Sequence, residues 1–169
     1  MSIAELTATM SHATKLKVGC IIVKDHRTIS CGYNGTPAGW DNVCENKEWM
    51  SGDVGGWLSP DEICENWPHV ATSDEDGAYI GRYRLKTKPE VIHAEANSIV
   101  KLARDGESGN GASLFCTHAP CIDCAKLIFG AGIKQVFYRD EYRTDDGIKF
   151  LTKSGVDVVR HEQTAFEDH

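Results

Sequence analysis

Two short stretches of the 169-residue chain carry side chains that can do chemistry together, His93-Ala94-Glu95 and Pro120-Cys121-Ile122-Asp123-Cys124. They supply one imidazole, two thiols and a carboxylate outside that donor set, which is what a zinc site with an open coordination position requires. A Cys-x-x-Cys pair at a helix start closes on one metal, because the turn brings both sulfurs to one side and the helix N-terminus favours thiolates. His93 also stands where a helix begins, so two facing helix N-termini present His93, Cys121 and Cys124 to a tetrahedral ion, with water as fourth ligand. Glu95 then points across a helix start as the general base. Zinc lowers the pKa of its water from about 16 to about 7, and a carboxylate can carry the proton released. Cys-x-x-Cys alone is ambiguous between a redox pair and a metal clip, and His-x-Glu alone means little. Their conjunction, with Pro120 and a strand between two helices, is specific. A thioredoxin-like role is disfavoured, because its Cys-x-x-Cys follows the first strand of a βαβ unit.

The elements that must position these residues follow in chain order. Ile3, Leu6 and Met10 have helical spacing within 2–14, with Ser2 as N-cap and Glu5 completing a capping box. KVGCIIVK at 17–24 and TISCGY at 28–33 form a hairpin around Asp25-His26-Arg27, the first strand being central. Gly32-Tyr33-Asn34-Gly35-Thr36-Pro37 by itself is turn punctuation. Segment 41–90, with Trp40 at its edge and Trp49, Trp57 and Trp67 inside, has no sustained period and is a long insertion. Short helices are expected at 42–50 and 59–65, the latter opening on Ser59-Pro60-Asp61-Glu62. Helices follow from 93 to Asp105-Gly106, over 121–131 with Leu127 and Ile128 inward, and over 146–154. Strands are expected at 112–117, 134–138 and 156–160. The fold class is α/β, a three-layer α/β/α sandwich with a mixed, mostly parallel five-stranded sheet, in one domain spanning 1–169.

Apolar residues make up 41% and charged residues 25%, ordinary for a globular chain. Seven cysteines without a secretory pattern point to a reducing, cytoplasmic setting, and no run has bilayer-spanning length. The formal charge of -7 opposes a grip on long nucleic acid and favours a small substrate. Cys44, Cys64, His69 and His12 are further metal donors, but their irregular spacing forms no motif.

His-x-Glu followed by Pro-Cys-x-x-Cys is the signature of zinc nucleobase deaminases. The chain resembles the cytidine deaminase superfamily, and within it the deoxycytidylate deaminases, through KVGCIIVKDHRTISCGYNGTPAG at 17–39, HAEANSI at 93–99 and THAPCIDCAKLI at 117–128. The resemblance implies hydrolysis of dCMP to dUMP and ammonia for thymidylate synthesis, with Zn2+ on His93, Cys121 and Cys124. It assigns Glu95 the protons delivered to N3 and to the departing amine. It places Asn34, Thr36, Ala94, Asn97, Ala119 and Tyr142 at the substrate. It further implies a homo-hexamer activated by dCTP and inhibited by dTTP with Mg2+, the effector meeting Gly32, Tyr33, Asn34, Gly35, Lys15 and Lys17. The resemblance departs at 10–17, where MSHATKLK lacks the cysteine that some members use for a second zinc. Arg104, Arg139 and Arg143 are candidates for the 5'-phosphate.

Two other readings compete. One is a different superfamily deaminase acting on a nucleoside or an RNA base, which the negative charge opposes in the RNA case. The other is a non-catalytic zinc-stabilised binding module, which has no need of Glu95.

Overall fold

Asp25 and His26 take φ of 48° and 62°, the two left-handed residues that suit a tight two-residue hairpin turn. They join β1 (Gly19–Lys24) to β2 (Arg27–Tyr33). A computed structural model of the chain describes residues 1–51, 58–73, 77 and 79–161. Trp57 and part of the insertion lie outside the described residues.

The hairpin is one side of a five-stranded sheet completed by β6 (Ser113–His118), β7 (Gln135–Asp140) and β8 (Asp157–Arg160), in the order β2-β1-β6-β7-β8. β1 pairs antiparallel with both neighbours, and β6-β7 and β7-β8 are parallel. Four of these five strands run one way, but β1 opposes both its neighbours, so two of the four pairings are antiparallel and the sheet is mixed without being mostly parallel as expected. The remaining helices are α1 (Ser2–Ala8), α2 (Pro60–Asn66), α3 (Ala94–Asp105), α4 (Ile122–Gly130) and α5 (Asp146–Lys153). Helices α3, α4 and α5 bury Leu102, Ile128 and Leu151 against Ile22, Leu114 and Val136 of the sheet. Each such side chain contributes about 1.5–3 kcal/mol when fully buried. Helix α1 covers the other face around β1.

Two glycines set how closely these layers approach. A Cβ on Gly19 would meet the backbone of Ala4 and Ala8, and one on Gly32 would lie 2.6 Å from the Ser98 nitrogen and closer still to the Ala94 oxygen. Gly32 thus lets α3 rest directly on β2. Gly32→Ala is expected to lower stability by about 1–3 kcal/mol, the usual cost of overpacking. A urea midpoint equal to the parent's would show that α3 can retreat without penalty.

Several expectations change. Helix α1 stops at Ala8 and is capped by Met1 without a side-chain bond. Glu5 instead binds Arg139 at 2.8 Å, so no capping box forms at Ser2. The stripe Ile3, Leu6 and Met10 faces outward, because the small residues Ala4 and Ala8 are the ones that fit Gly19. Leu127 is also exposed, while Ala125 and Ile128 turn inward. The segment expected as a helix at 42–50 contains β3 (Glu45–Trp49). It joins β4 (His69–Thr72) and β5 (Tyr79–Thr87) in an antiparallel sheet of order β3-β5-β4. Continuous pairing from Glu45↔Thr87 to Trp49↔Tyr83 overrides the local preference. At α2 the local signal does decide: Ser59 and Glu62 form a full capping box. No helix among the described residues is long and apolar enough to cross a membrane.

Candidate active site

His93 and Cys121 occupy equivalent positions, the N-caps of α3 and α4, both with extended backbone. Neither side chain caps its own helix, so both are free to project between the two N-termini. Cys124, in the first turn of α4, comes to the same point. His93 Nδ1 lies 3.5 Å from Sγ of Cys121 and 3.5 Å from Sγ of Cys124. Among the described residues this is the group of three or more donors able to hold a metal ion. Tetrahedral zinc, about 2.0 Å from nitrogen and about 2.3 Å from sulfur, places such atoms about 3.5 Å apart. The donors fit that ion. The backbone behind the clip is braced by Gly147 of α5, where an added Cβ would lie 2.9 Å from the Cys121 carbonyl carbon and closer to the Pro120 oxygen.

The electrostatics prepare a thiolate. The Cys121 thiol is pulled down to about 4, mainly by its hydrogen bond with Cys124 and then by His93. Cys124 is pushed up by that same bond and by burial. The bond to Cys121 also raises His93. Glu95 is 4% exposed. Burial pushes its carboxyl up to about 6, against the pull of its own backbone N–H and of His93. A buried carboxyl balanced between its protonated and ionised forms near neutrality is suited to moving protons.

His93, Glu95 and Cys121 open into a cavity of about 350 Å³, within the range of small-molecule sites. Of the expected substrate residues, Asn34, Ala94, Ala119 and Tyr142 line it, as does Lys15. Thr36 and Asn97 instead line a second cavity of about 280 Å³ with Tyr33 and Gly35. Gly32 and Lys17 line neither cavity. Asn34 is already engaged: Nδ2 donates to Leu16 O at 2.8 Å and Oδ1 accepts from Val18 N–H at 2.8 Å. The amide therefore holds the 16–18 segment as a cavity wall.

Several lining residues were given no role by the sequence, among them Val18 and His118, which lie inside the motifs, and Glu45, Thr87 and Glu141. His118 Nδ1 lies 3.1 Å from Thr117 Oγ1, and its Nε2 lies 3.6 Å from Asp140. Burial lowers the His118 pKa. Arg139 binds both Asp140 and Glu5, and Arg104 pairs with Asp105 beside the second cavity. Arg143 lines the first cavity and makes no ion pair among the described residues. Cys44 is buried with Ala13 and Val91, Cys64 is exposed, and His69 stacks on Tyr83 at 5.0 Å. With His12, these do not gather into a metal group among the described residues.

The family model for the cytidine and deoxycytidylate deaminase zinc-binding region matches residues 1–140. The chain is 34% identical over 151 residues to the deoxycytidylate deaminase of Enterobacteria phage T4, covering 84% of this chain and 76% of that one. It is 33% identical over 141 residues to the deoxycytidylate deaminase of Mycobacterium phage D29, covering 83% and 91%. The crystal structure of the dCMP deaminase from cyanophage S-TIM5, in complex with dCMP and dUMP, superposes with a TM-score of 0.70. The two share 38% identity over 95% of this chain and 92% of that one. With a matching fold and both zinc-site motifs inside the matched region, the chain belongs to the deoxycytidylate deaminases of the cytidine deaminase superfamily.

Proposed function

We propose that the chain hydrolyses dCMP to dUMP and ammonia, and so feeds thymidylate formation. The observation that carries this reading is the buried Glu95 carboxyl beside the His93, Cys121 and Cys124 donors, at a cavity sized for a small molecule. Zinc bound by those three residues supplies the Lewis acidity that makes water nucleophilic at neutral pH. Glu95 takes one proton from the water as its oxygen adds to C4 and gives that proton to N3, then takes the second proton from the new C4 hydroxyl and gives it to the amine as the C4–N bond breaks and ammonia leaves. The Ala94 N–H, at the first turn of α3 where amides lack intrahelical acceptors, is available to the pyrimidine O2. The Ala119 carbonyl faces the 4-amino group. Ala119 is held from behind, where its N–H donates to Asp140 O at 2.8 Å. Tyr142 packs beside the nucleotide. Lys15 and Arg143 serve the 5'-phosphate, the two other candidate arginines, Arg104 and Arg139, lying outside the lining of this cavity.

The second cavity supports the regulatory part of the reading. It combines Tyr33 and Gly35 with the cations Lys101 and Arg104, a suitable lining for a triphosphate with Mg2+. Asn97 Nδ2 donates to Tyr33 O at 2.8 Å, tying this cavity to the helix that carries Glu95. In this reading dCTP activates and dTTP inhibits a homo-hexamer. Opposite effects require the two ligands to prefer different states.

The test is loss of cytosine absorbance when zinc-loaded protein meets dCMP, CMP and deoxycytidine separately. Turnover of dCMP with little or none of deoxycytidine is expected. The reverse preference would sink the monophosphate assignment. For regulation, dTTP should raise the dCMP concentration giving half-maximal rate, and Lys101→Ala should blunt that response. Asn34→Ala would be a poor probe, because it also removes the bonds that hold 16–18.

A further inference from the structure

At the mouth of the first cavity a carboxylate occupies a site built for an anion. Oε1 of Glu45, on β3, accepts from the backbone N–H groups of Thr14 and Lys15, each at 3.1 Å, and Oε2 lies 3.3 Å from the Thr14 nitrogen. Successive amides converging on one anion resemble the backbone nests that bind phosphate. The position is fixed by the pairing of Glu45 with Thr87 of β5, which also lines the cavity. Two cations share this mouth. Lys15 Nζ donates to Leu85 O at 3.1 Å and keeps further protons to donate. Arg143 makes no ion pair among the described residues. Glu141, the other carboxylate at the mouth, is bound by Arg160 at 2.7 Å. Burial, and then the charge of Arg143, lower the Lys15 pKa, while Glu45 raises it. The charges therefore act on one another across the opening.

We propose that Glu45 limits the number of phosphates on the substrate: by filling the amide nest of Thr14 and Lys15, it admits a nucleoside monophosphate and rejects the diphosphate. This rests on the functional reading above, in which Lys15 and Arg143 serve the 5'-phosphate. One phosphate finds two cations at the opening. A second phosphate extending past Lys15 meets a carboxylate whose surrounding donors are already engaged. Like charges brought together out of bulk water oppose binding strongly enough to set specificity.

The experiment compares kcat/KM for dCMP and for deoxycytidine diphosphate in the zinc-loaded parent, Glu45→Gln and Glu45→Asp. The diphosphate is chosen because dCTP would also act as an effector. Glu45→Gln should raise the diphosphate-to-monophosphate ratio by about tenfold or more, chiefly through a lower KM for the diphosphate. Glu45→Asp, which keeps the charge, should keep the discrimination. A ratio unchanged in Glu45→Gln, or parallel losses on both substrates, would overturn the proposal and leave Glu45 as a structural latch. A parent that leaves dCMP intact would instead overturn the functional reading itself, and this proposal with it.

Discussion

Glu95→Gln is expected to retain bound zinc and to deaminate dCMP about 10² to 10⁴ times more slowly than the parent. Glutamine matches the size of Glu95 and can still accept a hydrogen bond, so the packing at the base of α3 is kept. It cannot take up and release the proton that has to travel between water, N3 and the departing amine. Glu95 also lies outside the group of donors able to hold a metal ion, His93, Cys121 and Cys124. Metal content and turnover should therefore separate, with zinc by elemental analysis unchanged while activity falls. Stability should not fall with it, because a neutral amide in the same buried place carries no charge to desolvate, the cost that pushes the carboxyl up to about 6. A variant as active as the parent would remove Glu95 from proton transfer. Loss of zinc alongside activity would mean that the carboxylate helps hold the site together.

The second large effect is expected far from the motifs in sequence. Gly147→Ala puts a Cβ 2.9 Å from both the carbonyl carbon and oxygen of Cys121, and closer to the Pro120 oxygen. These contacts are with backbone, so no side-chain rotation relieves them. Either α5 retreats from α4 or the Pro120-Cys121 backbone moves, and the second response carries a zinc donor with it. The expected cost is about 1–3 kcal/mol, or roughly 3–10 °C in melting temperature for a chain of this size. Zinc affinity measured against a competing chelator should weaken as well. Elsewhere in a helix, alanine in place of glycine stabilises by about 1 kcal/mol. A Gly147→Ala protein with higher stability and unchanged zinc affinity would show that the close approach is not needed.

The gathering of His93, Cys121 and Cys124 with Glu95 nearby was legible because it is written in short spacings. His-x-Glu and Cys-x-x-Cys each span less than one helical turn, so their geometry follows once a helix start is placed there. The capping box at Ser59 and the hairpin turn at Asp25-His26 were accessible for the same reason. The β3 strand was not, because its conformation depends on β5, about forty residues later. Nor was the outward turn of Ile3, Leu6 and Met10, where helical periodicity was present but the face that fits Gly19 is made of alanines.

The glycine-rich stretch divides along the same line. The resemblance assigns Gly32 to Gly35 to effector binding, whereas the structure gives Gly32 a packing reason and Asn34 a bonding reason of their own. Thr36 and Asn97, expected beside the substrate, stand at the second cavity instead. Successive side chains alternate across a strand such as β2 and turn by about 100° along a helix such as α3, and sequence proximity does not say which cavity each will meet.

The sequence by itself determined the family and brought out the candidate donors His93, Cys121 and Cys124 with Glu95 beside them, because local spacing sets that chemistry and the motifs are specific together. The tertiary structure decided what surrounds them: the Gly147 brace, the separation of two cavities, and Glu45 lodged in the amides of Thr14 and Lys15. These contacts join residues far apart in the chain, and they exist only because close packing brings particular backbone atoms within reach of one another.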